Sequence, residues 1–150
     1  MISEQERIAL YNLCGIPMRK PHRPLPLLDL QQVGKYKQVL ANFSGETIDM
    51  EASSVAGDPA AFAVRVKSSD MAPRFMPGTI LIATPKLNPH NRDFVLVYIH
   101  DLGRVLFRQH VIEEDEVELE AVNDDQDIIH LSYEDRILAV VTETRFEFTE

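Results

Sequence analysis

At 150 residues, 45% apolar and 26% charged, the chain has the length and balance of one ordinary globular domain. Its net charge of −9, from 15 basic against 24 acidic residues, argues against nucleic-acid binding, which needs a basic face to displace phosphate counterions. No stretch reaches the roughly 18 apolar residues of a membrane helix; the first residues lack the pattern of a secretory leader, and the single cysteine, Cys14, allows no internal disulfide, which suits the cytoplasm.

In chain order, the first expected element is a short helix over Ser3–Gly15. Ser3 and Glu6 make a capping box, and Gly15 followed by Pro17 ends it. A single such helix falls short of a helix-turn-helix domain, which needs two at a fixed angle. Met18–Pro26 interleaves prolines with basic residues and reads as an extended linker. The expected division is therefore 1–23 for helix and linker, then 24–150 for a β domain.

From Leu27 onward the pattern is that of strands. Ala61–Lys67 alternates with period two and sets Phe62, Val64 and Val66 on one face. Thr79–Ala83 is a buried strand closed by Pro85, and Phe94–Ile99 is rich in β-branched and aromatic residues. Asp101-Leu102-Gly103 marks a tight turn into Arg104–Val111. Glu116–Val122 alternates again with Val117, Leu119 and Ala121 inward, and Ile137–Thr142 and Arg145–Phe148 finish the chain as two strands. The fold class is mainly β: about eight short twisted strands with one short N-terminal helix.

Several chemistries find no support. Between Glu113 and Asp127 lie nine carboxylates and no Lys or Arg, the composition of a solvated hairpin rim. His22, His90, His100, His110 and His130 show no paired metal-ligand spacing, and one cysteine does not complete a zinc site. No glycine-rich phosphate loop occurs, so neither metal nor cofactor is expected.

The segment from Phe62 to Gly78, with Ser68-Ser69-Asp70-Met71 at its centre, resembles the nucleophile segment of the LexA-like, peptidase S24 family of self-cleaving repressors and their signal-peptidase relatives. That family writes an alternating strand, then Gly-Asp-Ser-Met, then a turn ending in Gly-Asp. With Met71 in register, the serine position holds Asp70. Further on, Pro77-Gly78-Thr79-Ile80 resembles the Gly-Asp turn, and Asn91-Arg92-Asp93-Phe94-Val95 a Gly-Asp-Val strand start with Arg92 in place of glycine. Arg104–Arg108 resembles the Val-Lys-Arg segment, which puts Phe107 at the general-base position. Glu120-Ala121-Val122-Asn123 resembles the Pro-x-Asn turn, and Leu138–Val141 the closing strand. Upstream, Pro26–Gly34 is similar to the self-cleavage segment, with Val33-Gly34 in place of Ala-Gly.

The family reaction needs a serine oxygen to attack and a desolvated, neutral lysine to take its proton. The resemblance implies that Asp70 and Phe107 remove both groups, leaving no catalytic residues. Lys20, Lys35, Lys37, Lys67 and Lys86 all lie outside the Phe94–Val111 hairpin. A non-catalytic regulatory domain is the expected function, working through protein association in regulation of a prophage or mobile element. By family habit it associates with itself through the C-terminal strands (Val140, Phe146, Phe148), or with a repressor-type partner. Two alternatives stand beside it. One is an active peptidase using Ser69 or Ser68; the other is a DNA-binding repressor using Arg19, Lys20 and Arg23.

Overall fold

The computed structural model describes residues 22–41, 43–51 and 58–146. The expected N-terminal helix, Arg19, Lys20, Cys14 and Phe148 lie outside these. Among the described residues nine strands form one sheet in the order β2-β1-β3-β4-β9-β5-β6-β7-β8. They are β1 (His22–Leu28), β2 (Thr47–Glu51), β3 (Phe62–Arg65), β4 (Thr79–Thr84), β5 (Phe94–Ile99), β6 (Arg104–Glu113), β7 (Glu116–Glu120), β8 (Ile129–His130) and β9 (Arg136–Phe146). Only β1 and β3 run parallel; every other neighbouring pair is antiparallel. Between β1 and β2 the chain makes a 3-10 turn, Leu30–Lys35, and a short helix, α1 (Tyr36–Ala41).

Both faces of the sheet are apolar. One carries Leu28, Val33, Phe62, Val64, Leu81, Leu96, Val105, Phe107 and Ala139, with Met71 and Phe75 from the connection after β3. The opposite face holds two smaller clusters, one around Leu25, Ala63 and Ile82 and one around Val95, Leu106, Leu119 and Val140. β4 is buried at every position, which explains its unbroken apolar run.

Three expectations are corrected. His22–Pro26, read as linker, is the body of β1, which pairs with β2 from His22↔Glu51 to Pro26↔Thr47. Its prolines are tolerated because Leu27 N–H reaches Glu46 C=O at 2.9 Å. By strand alternation the imide nitrogens of Pro24 and Pro26 then face the other side, where pairing with β3 begins only at Leu27. Residues 30–41 are helical rather than extended, since the apolar Leu30, Val33, Tyr36 and Val39 all pack on the same cluster at helical spacing. Finally, the two expected C-terminal strands are one. β9 passes Leu138 and Thr142 as extra residues in its registers with β5 and β4, and these bulges break the alternation that sequence reading relies on.

Candidate functional site

β3 ends at Arg65, and the chain turns through Ser68–Gly78 before entering β4. This turn is held from several sides. Gly78, at φ +99°, donates its N–H to Val66 C=O at 2.8 Å, a conformation that favours glycine. Ser68 Oγ accepts the Asp70 N–H at 3.0 Å, and Phe75 N–H reaches Met71 C=O at 2.9 Å. Asn123 N–H donates to Asp70 C=O at 3.1 Å, and Val122 N–H approaches Met71 Sδ at 3.4 Å. Two segments that resembled separate family motifs, Ser68–Met71 and Glu120–Asn123, are thus bonded to each other.

Beside this turn opens a cleft of about 420 Å³. Its walls include Leu30, Val66, Met71, Leu106 and Phe107, with Asp29, Gln31, Arg65, Lys67, Ser68, Asp70 and Arg108 supplying polar groups. Asp70 and Phe107 both line it, so the two positions singled out in the sequence meet at one place. Phe107 is 5% exposed and packs in an aromatic trio, its ring 5.0 Å from Phe75 and 5.9 Å from Phe94. Arg74 caps the trio, 4.7 Å over the Phe94 ring.

Arg108, which served only to set the register in the sequence, is the residue that reaches Asp70. Its Nη2 lies 3.4 Å from Asp70 Oδ2, and Nη1 donates to the Phe107 carbonyl at 2.9 Å. The Arg108 side chain is 5% exposed and that of Asp70 33%. Burial lowers the Arg108 pKa, and the Asp70 carboxylate opposes this by charge and hydrogen bond. The signal that sequence reading passed over was complementarity: an acid at one expected catalytic position and a base next to the other.

The remaining candidates are spread around the cleft. Lys67 is mostly exposed and donates to Asp29 Oδ1 at 2.7 Å. Ser69 is exposed, its carbonyl bonded by Ala72 N–H, and is absent from the cleft wall. Arg23, proposed as a DNA contact, donates instead to the carbonyls of Asp58 and Pro59. Val33 is fully buried in the core, inside the 3-10 turn. A Cβ at Gly34 would touch Val105 Cγ2 at 3.4 Å, so this bond rests on β6 while Asp29–Gln31 reach the cleft. Gln31 fixes the segment there, donating Nε2 to Val105 C=O and accepting Val105 N–H, both at 3.0 Å. Among the described residues no group of three His, Cys, Asp or Glu side chains is placed to hold a metal ion, and no helix is long and apolar enough to cross a membrane.

Residues 26–142 match the Peptidase S24-like family. The chain belongs to that family. A described relative is an uncharacterized HTH-type transcriptional regulator of Coxiella burnetii (strain RSA 493 / Nine Mile phase I), 24% identical over 128 residues. The match covers 83% of this chain and 59% of that regulator, so the chain spans little more than half the relative's length.

Proposed function

We propose that this S24 domain is non-catalytic and regulatory, acting in the cytoplasm through protein–protein association in transcriptional control of a prophage or other mobile element. The observation that carries the reading is the pair facing across the cleft, Asp70 and Arg108, with Phe107 packed beside them. A carboxylate is no replacement for a serine oxygen at an amide, and a guanidinium does not give up its proton to act as base. Phe107 has no titratable group at all. The HTH-type relative supports the regulatory setting.

The association surface is the end of β9. Its pairing with β5 stops at Val141↔Phe94, so Glu143–Arg145 pair with β4 alone. Phe146 is 54% exposed at the end of this stretch. Val140, expected at the interface, is 5% exposed and packs with Val95, Val97 and Leu119, so it serves the core instead. A two-fold partner, or a repressor carrying a related domain, would lay its own strand end against this one.

A fluorophosphonate probe, which labels activated serines, tests the chemistry. No adduct at Ser68 or Ser69 is expected by mass spectrometry. A stoichiometric adduct at either would restore the peptidase reading.

A further inference from the structure

We infer that the cleft is a receptor for the C-terminal carboxylate of a partner polypeptide whose last side chain is apolar. This rests on the non-catalytic reading, since it turns the cleft into a place that holds a chain end.

Arg108 is the origin of the inference. A guanidinium carries five N–H donors in a planar fork. Here Nη1 is satisfied by a carbonyl, but Nη2 meets Asp70 only at 3.4 Å, and Nε is buried with no hydrogen-bond partner among the described residues. Charge-assisted bonds of this kind normally close to about 2.7–2.9 Å. Nε and Nη2 share one edge of the guanidinium, the edge a carboxylate grips with both oxygens. Asp70 covers that edge at a single donor and is itself one-third exposed, so it can turn outward while the buried Arg108 stays. An incoming carboxylate then supplies the bond that Nε lacks.

The rest of the cleft fits a chain end. Leu30, Val66, Met71 and Phe107 offer an apolar wall to a side chain. The main-chain N–H and C=O of Lys67 have no partner among the described residues and lie where β3 has lost its neighbour β1, so an extended peptide can pair there. The lining holds three cations (Arg65, Lys67, Arg108); Glu46 reaches Arg65 at 3.9 Å and Asp29 pairs with Lys67 at 2.7 Å, so Arg108 is the cation left for a ligand once Asp70 turns outward. A neutral peptide carbonyl fills one donor; a terminal carboxylate fills two and balances the charge.

Fluorescence anisotropy with a labelled hexapeptide ending in valyl-leucine tests this, comparing the free acid with its C-terminal amide. The acid should bind at micromolar concentration, and the amide roughly ten-fold more weakly or worse, the loss of a charge-assisted pair. Asp70→Asn removes the competing carboxylate and should tighten the acid several-fold relative to the amide. Arg108→Met, checked for folding by circular dichroism, should erase the preference. Equal binding of acid and amide to the wild-type protein, or no binding of the acid at millimolar concentration, overturns the inference. Mass analysis of the same samples separates it from the reading beneath it: a shortened peptide would defeat the non-catalytic reading, whatever the acid–amide preference.

Discussion

Burying the Arg108 guanidinium costs several kcal/mol, and among the described residues Asp70 is the carboxylate placed to offset it. Asp70→Ala should therefore lower the unfolding free energy by about 2–4 kcal/mol, less than for a fully buried pair because Asp70 is partly solvated. Asp70→Ala combined with Arg108→Met should recover most of that loss. Urea denaturation of the two variants checks this, and equal stability of the single variant and the wild type would contradict it. The same pair explains why Asp70→Ser with Phe107→Lys is expected to destabilise: the serine strands the guanidinium, and the lysine enters an aromatic cage. Arg92 offers the opposite case. It keeps a glycine-like φ of +74°, while its N–H bonds His110 C=O. Arg92→Gly should stabilise the protein by about 0.5–1 kcal/mol, because the left-handed conformation penalises a side chain; a lower melting temperature would contradict that account.

Two loops at one end of the sheet are tied by Asp135, which accepts N–H groups from His100 and Ser132 at 2.9 Å. Burial pushes the Asp135 pKa up, but hydrogen bonds from Ser132 and His100 and the charge of His100 hold it below the ordinary value. A depressed carboxyl pKa contributes stability above the unfolded value near 3.9 and loses it as pH falls through the folded one. Asp135→Asn should therefore lower the melting temperature at neutral pH, with the difference closing below about pH 3. A constant difference across that range would show that charge is not the cause. On the other side of the sheet, Gln31→Ala removes both bonds to Val105 and should speed hydrogen exchange over Leu30–Lys35. Unchanged exchange there would mean that the burial of Val33 alone holds the turn.

These elements also show where the sequence was legible. β3–β6 were readable because each is bounded by turns with clear chemistry, Gly78 and Asp101-Leu102-Gly103, and carries unbroken apolar or alternating residues. β1 was not, because proline signals a linker unless one knows which edge its missing N–H faces. The bulges in β9 hid one strand as two. Asp70 and Phe107 could be placed from resemblance, but the ion pair to Arg108 is a contact between residues 38 apart, which period and composition do not encode.

For the molecule as a whole, the proposed association surface is the end of β9 and the proposed binding site is the cleft beside Asp70. Sedimentation at micromolar concentration should show a dimer, dissociated by Phe146→Asp or Phe148→Asp. A wild-type monomer would remove the β9 interface while leaving the cleft untouched. The central claim is the absence of self-cleavage, which intact-mass spectrometry reads directly. After prolonged incubation at alkaline pH, where a base lysine would be neutral, the chain should keep its full mass of 17.1 kDa. Fragments ending at Val33 and beginning at Gly34 would contradict the account.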